Sequence, residues 1–271
     1  MKSPPDPALQ GLLEKAGLYA FNYREKCREL VAEERMVQKE YGKNANVKRQ
    51  RNFMSDYFIV TLSQTPLRTV EFRDILSIDG KDLPRKSNKL VELFKTQSPD
   101  ALKEVERITK ESTKHNLGRE RYTNMVNFAL NFLLPENQNQ IAYSFQNPGK
   151  DSLDTTAVVI HFCEFGNRTA LSADTPTGRH PIYSSGYIWL TLPEVEVLRV
   201  DFSFKSDNEQ YPISGRYISE YTRGTDNLML PKRFEERFYD FKEPELMTFE
   251  SEALYSNYRK FSTDVKILPS E

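Results

Sequence analysis

Residues 196–205 read EVLRVDFSFK. Leu198, Val200, Phe202 and Phe204 fall on one parity, and Arg199, Asp201 and Ser203 fall on the other. A strand sends successive side chains to opposite faces, so this alternation specifies a sheet with one buried and one wetter face. The same period of two continues outward. Toward the C-terminus it marks strands near 211–223, 229–241 and 246–261; toward the N-terminus it marks 184–192, 168–173, 156–165 and 139–146. Asp207-Asn208 separates two of these long strands, and Gly166-Asn167 is a two-residue hairpin signal between 156–165 and 168–173.

The N-terminal half opens differently. Asp6 is placed to cap a helix and Pro7 takes the first helical position, where a missing N–H costs nothing. Leu9, Leu12, Leu13, Ala16, Tyr19, Tyr23, Cys27 and Leu30 follow at spacings of three and four, giving one apolar face. From Val31 the period returns to two, predicting strands over 31–41, 52–63 and 69–78. In the third of these Val70, Phe72, Leu76 and Ile78 alternate with Thr69, Glu71, Arg73 and Ser77. Asp79-Gly80 then supplies a turn of the kind that needs positive φ.

A helical insert follows over 85–135. Leu90, Leu93 and Phe94 form a first short apolar face, and Ser98-Pro99-Asp100 starts a second helix. That helix carries Leu102, Val105 and Ile108 inward and ends near Gly118. The stretch 124–134 fits a short helix or a buried strand, and periodicity does not separate the two. The pattern as a whole predicts an α+β fold: a long, curved antiparallel sheet of roughly eleven strands forming an incomplete barrel, with an N-terminal helix and the insert packed on it. No composition shift or Gly/Ser linker divides the chain, so 1–271 reads as a single domain behind a flexible lead at 1–6.

Composition narrows the function classes. The chain has 271 residues, 38% hydrophobic and 12% aromatic, which is enough for a substantial core. Its 38 basic and 39 acidic side chains nearly cancel, leaving no electrostatic footprint for nucleic acid or an anionic membrane. No stretch approaches the roughly 20 apolar residues that span a bilayer as a helix. The opening MKSPPDP lacks the apolar core of a signal peptide, so the compartment stays open between cytoplasm and an exported protein with its signal removed.

No catalytic centre emerges. His161 and Cys163 share a strand face and could ligate a metal with His180, read as lying in a loop, but a packed residue beside a surface one explains the pair as well. The spacing of Cys27 and Cys163 matches no metal motif and leaves their pairing open. No nucleophile elbow, phosphate loop, dinucleotide fingerprint or zinc-protease motif occurs. Glu33-Glu34 and Glu235-Glu236-Arg237 read as solvated strand faces. Asn167-Arg168-Thr169 fits a glycosylation sequon on the proposed turn. The aromatics Tyr187, Trp189, Tyr211, Tyr217, Tyr221, Phe234, Phe238 and Tyr258 gather in the C-terminal strands. Ordinary sheet core accounts for them; the functional reading is a concave apolar lining built from Trp189, Phe202, Phe204, Tyr217, Tyr221 and Phe234.

Three segments together carry a family likeness. SSGYIWLTLPEVEVLRVDFSF (184–204) resembles the hairpin of the outer-membrane lipoprotein-sorting, LolA/LolB-like half-barrel. RNFMSDYFIVTL with VEFRDILSIDGKDL (51–83), EALYSNYRKFSTDVKI (252–267) and HNLG (115–118) are similar to uncharacterised secreted proteins of Acidobacteria. The resemblance implies a periplasmic or otherwise exported protein with a sheet curled round helices and an apolar concavity able to hold an acyl chain. This chain departs from such carriers in its length, in an insert that could plug the concavity, and in lacking a lipobox cysteine.

The expectation is therefore a non-enzymatic cell-envelope protein that binds a lipid or a lipoprotein acyl chain, with no cofactor, no metal and no nucleic acid. The alternative is an interaction module of the envelope, which an exposed edge strand poor in charge would favour. A paired-carboxylate glycoside hydrolase ranks below both.

Overall fold

The computed structural model describes residues 6–27, 30–62, 68–84, 101–118, 126–146, 157–166, 169–176, 178–206, 210, 212–224 and 227–260. Helix α1 (Pro7–Lys26) begins as its sequence demands, the Ala8 N–H donating to Asp6 Oδ1 at 2.9 Å. Its last turn carries Arg24 and Lys26, which complement the negative end of the helix dipole. Leu9, Leu12, Ala16, Ala20 and Tyr23 form its buried stripe, whereas Leu30 already belongs to the first strand.

The strands are β1 (Leu30–Tyr41), β2 (Val47–Leu62), β3 (Arg68–Ile78), β4 (Lys81–Asp82), β5 (Ile141–Gln146), β6 (Val158–Glu164), β7 (Leu171–Thr175), β8 (Gly178–Leu190), β9 (Val197–Ser206), β10 (Ser214–Arg223), β11 (Met229–Tyr239) and β12 (Met247–Lys260). They form one 12-stranded sheet in the order β4-β3-β2-β1-β12-β11-β10-β9-β8-β6-β5, with β7 off the path against β8. The sheet is open and mostly antiparallel, and its end strands are β4 and β5. Asp79 and Gly80 hold φ of 50° and 77°, so the β3–β4 turn has the chemistry the sequence announced.

The expected hairpin between β6 and β7 does not form. Strand β6 pairs with β5 and β8, and β7 pairs with β8. Glu164 at the end of β6 accepts the N–H groups of Ala170 at 2.7 Å and Ser184 at 2.8 Å, one on each oxygen, so it ties the start of the β7 segment and the middle of β8 to the end of β6. Asn167 of the expected turn lies outside the described residues. His180, expected in a loop, lies in β8 opposite Ala173.

Two compact units share this strand order. The first comprises Met1–Tyr23, Tyr41–Lys48 and Val126–Glu252; the second comprises Arg24–Glu40, Arg49–Met125 and Ala253–Glu271. The expected insert is divided between them. Helix α2 (Ala101–Thr113) belongs to the second unit, while a 3₁₀ segment (Val126–Leu133) and the short α3 (Pro135–Gln138) belong to the first. The reading of 124–134 thus resolves as a buried 3₁₀ segment from Val126 on. The first apolar face of the insert (Leu90, Leu93, Phe94) and the Ser98-Pro99-Asp100 cap lie outside the described residues.

In the second unit, Val105 and Ile108 of α2 pack with Val31, Phe58, Val60, Val70 and Phe72. The Phe58 and Phe72 rings stack at 4.9 Å, nearly parallel at 2°. Full burial of each such ring contributes about 1.5–3 kcal/mol, so this cluster anchors α2 on β2 and β3. In the first unit, Gln138 Nε2 donates to Leu133 O at 2.7 Å and Leu13 O at 3.1 Å, tying α1 to the end of the 3₁₀ segment.

Candidate functional site

The face of β8–β11 that carries Val200, Phe202 and Phe204 is an aromatic layer. Cross-strand register puts Gly186, Phe202 and Tyr217 in one row and Ser184, Phe204, Gly215 and Phe238 in the next. Phe202 packs on Tyr217 at 5.5 Å, Tyr217 on Phe204 at 4.6 Å and on Phe234 at 5.4 Å, and Phe204 on Phe238 at 5.7 Å. Phe249 of β12 extends the layer from Phe238 at 5.9 Å.

Two glycines make the layer possible. A Cβ at Gly186 would meet Asp201 O and the Phe202 backbone, and one at Gly215 would meet the Phe204 ring and Arg237 O. Each phenylalanine occupies the space that its glycine partner leaves empty, a large ring opposite a residue with no side chain.

One end of the layer is covered. The Phe132 ring of the 3₁₀ segment lies 4.3 Å from Phe162 and 4.9 Å from Phe202. Val126 O accepts from both Ser219 Oγ and Tyr221 OH at 2.9 Å, and Tyr23 of α1 meets the Tyr221 ring edge-on at 6.4 Å. The Tyr143 hydroxyl donates to Phe132 O, and burial followed by the nearby Glu164 charge pushes its pKa upward. Phe202 and Tyr221 are therefore committed to core packing. At the other end Tyr217 and Phe238 remain half-buried, and Glu236, opposite Tyr217, is buried on the same face.

Five of the six expected lining residues share this unit's aromatic layer or its cover, and Trp189 does not. It pairs with Arg199, on the opposite face from Ile188 and Val200, with the Arg199 guanidinium 5.3 Å from its ring. The parity of 187–190 held that signal: Ile188 and Leu190 alternate with Tyr187 and Trp189. Tyr258 belongs to the second unit, and Tyr211 lies outside the described residues. Phe132, Phe162 and Phe249 were missed, though the apolar run of 126–134 marked the first.

The face opposite the aromatic layer carries charge. Asp201 accepts from Arg216 Nε and Nη2 at 2.7 and 2.8 Å and from Arg199 Nη2 at 2.7 Å. Arg199 also reaches Glu220 at 3.1 Å; Arg233 contacts Glu220, Glu235 and Glu252; Arg237 contacts Glu235 and Glu250. Burial alone would raise the Asp201 pKa, but the arginine hydrogen bonds outweigh it and hold the carboxyl below its usual range. The Tyr41 hydroxyl donates to Glu250 Oε2 at 2.9 Å, and burial with that acceptor pushes its pKa up to about 12.

The second unit holds a sealed counterpart. Arg73 Nη2 donates to Glu34 Oε1 at 3.0 Å and Arg73 Nε lies 2.8 Å from Glu34 Oε2, with side-chain exposures of 1% and 0%. Tyr57 stands directly opposite Arg73, packs on Tyr255 with ring centroids 4.9 Å apart and tilted by 51°, and donates to Glu71. Burial pushes Glu34 above the ordinary carboxylate range, and Arg73 offsets only part of the rise.

One sequence expectation is corrected here. Glu34, Glu235 and Glu236 are buried rather than solvated, and Arg73 is buried with them. The reason is pairing: an alternating charged residue satisfied by an arginine or carboxylate on a neighbouring strand can be closed off from water.

Neither cysteine is in a disulfide; Cys27 is buried and Cys163 exposed. His161 Nε2 lies 3.2 Å from Ser185 Oγ, its ring 5.2 Å from Tyr187. Among the described residues no group of three or more His, Cys, Asp or Glu side chains is arranged to hold a metal, and no helix is long and apolar enough to cross a membrane.

No protein-family model matches the sequence, and no curated protein matches it. Among solved structures the chain is similar to a presumed exported protein of YmcC-like fold from Bacteroides fragilis, at 12% identity over 84% of this chain and 95% of that one, with a TM-score of 0.18. A likeness that low leaves the fold resting on the strand pairings themselves.

Proposed function

We propose that the chain is a non-enzymatic cell-envelope protein that takes an apolar ligand, a lipid or a lipoprotein acyl chain, on the aromatic layer of its first unit. The observation that carries this reading is the continuation of the layer beyond its cover. Phe132 and Val126 close the Phe202–Tyr221 end, whereas Tyr217 and Phe238 stay half-buried beside Phe204 and Phe249. The site is thereby narrowed to Phe204, Tyr217, Phe234, Phe238 and Phe249, with Trp189, Phe202 and Tyr221 outside it. Aromatic and aliphatic walls with few polar groups suit an acyl chain. The envelope setting is supported by the likeness of 184–204 to the lipoprotein-sorting hairpin.

Native mass spectrometry of the full chain, purified without detergent, should show a bound acyl-chain mass that organic extraction removes. A fluorescent fatty-acid analogue should bind the extracted protein, and Phe238→Asp should weaken it by about tenfold or more while Phe238→Leu retains it. Trp189→Phe should leave binding unchanged. Absence of both bound lipid and analogue binding in a folded wild type overturns the reading.

A further inference from the structure

The two ends of the sheet are built differently. Strand β4 has two residues, Lys81 and Asp82, both exposed and charged. A short, charged edge is how a sheet discourages further pairing. Strand β5 ends the other side with six residues, IAYSFQ, none of them charged. Ala142, Ser144, Phe145 and Gln146 are exposed, Phe145 by 43%. Among the described residues β6 takes one side of β5 and no strand takes the other.

We propose that β5 is an interaction edge that pairs antiparallel with β5 of a second copy of this chain, continuing the sheet across a two-fold axis. The choice of occupant follows from charge. In an isologous strand pair every side chain meets itself or a same-face neighbour in its mate, so any charged residue would oppose its own sign. IAYSFQ holds none, and the pairing meets no repulsion. A different protein's strand would be selected by charged or pocket-forming side chains, which this edge does not offer. The adjacent β6 adds Cys163, exposed and opposite Ala142, three strand spacings from the mate's β6 across the junction.

Analytical ultracentrifugation of the full chain over a wide concentration range tests this. The wild type should sediment as a monomer–dimer equilibrium. Ser144→Lys and Ala142→Lys, both at exposed positions, should shift it to monomer without lowering the melting temperature, and Ser144→Thr should keep the dimer. In the dimer, a bifunctional maleimide of about 15–20 Å reach should join Cys163 to its mate's Cys163, given about 4.8 Å per strand and 3.3 Å per residue. A wild type that stays monomeric at its highest soluble concentration overturns the proposal. So does a dimer unaffected by both lysine substitutions. Lipid content does not enter either measurement, so the fate of the acyl-chain reading is decided separately.

Discussion

Asp201 in the first unit and Glu34 in the second both sit on arginine, yet their carboxyls are displaced in opposite directions. Asp201 takes three hydrogen bonds from two guanidinium groups, and Arg216 remains 40% exposed. Glu34 takes one hydrogen bond from Arg73 Nη2, with Arg73 Nε 2.8 Å from its other oxygen, and both side chains are closed off from water. Burial opposes ionisation at both sites; two partly hydrated guanidinium groups overcome it at Asp201, whereas Arg73, Tyr255 and Ser55 together do not overcome it at the fully closed Glu34. An ion pair on a strand is thus not one kind of object. The open ladder favours its charges; the sealed pair holds its charges at a desolvation cost that its partners do not fully repay.

The largest expected effect follows from removing one half of the sealed pair. Arg73→Met leaves Glu34 buried with no guanidinium, and should destabilise the fold by about 3–5 kcal/mol in chemical denaturation. The double variant Arg73→Met, Glu34→Leu should recover much of that loss, because an apolar pair of similar volume removes both charges at once. If the double variant is as unstable as the sum of the singles, the pair is not coupled and the contrast with the ladder fails.

The next test uses the opposite signs. Glu34 has a folded pKa above its unfolded value, so its contribution is fully present below about 4.3 and is lost as pH rises through the folded value. Asp201 has a folded pKa below its unfolded value, so its contribution is present above about 3.9 and is lost as pH falls through the folded value. The stability gap between wild type and Glu34→Gln should therefore narrow as pH rises from the acid side, while the gap for Asp201→Asn should widen, to about 1–2 kcal/mol near neutrality. Salt should shrink the Asp201 gap and leave the Glu34 gap nearly unchanged, since only the first is open to screening. Urea titrations at several pH values and two salt concentrations measure both slopes, and parallel slopes would remove the distinction.

This contrast also marks where the sequence stopped being readable. Periodicity located the strands of 139–261 apart from the first half of β8, the capped start at Asp6-Pro7 and the positive-φ turn at Asp79-Gly80, because those depend on local backbone preferences. Period two does not tell a solvated carboxylate from one sealed against a neighbouring strand's arginine, so Glu34, Glu235 and Glu236 were read as wet. The aromatic layer was half legible: parity put Phe202 and Phe204 on one face, whereas Tyr217, Phe234 and Trp189 were read from the gathering of rings in the C-terminal strands, which does not say that Trp189 lies on the other face. Its cover was not legible, because Phe132 reaches Phe162 and Phe202 only through the fold.

The smallest effect should come from inside the ladder. Arg233 contacts Glu220, Glu235 and Glu252, yet each acid has other support: Arg199 holds Glu220, Arg237 holds Glu235, and Glu252 is 47% exposed. Removing one cation from a redundant, partly hydrated network strands no buried charge. Arg233→Gln should therefore cost only about 0.5–1 kcal/mol, less still in high salt. Arg73 and Arg233 each face buried acid, and the difference between their substitutions measures what redundancy and water contribute. A loss at Arg233 as large as that at Arg73 would mean that Glu235, 3% exposed, depends on Arg233 alone and that the ladder is a second sealed site.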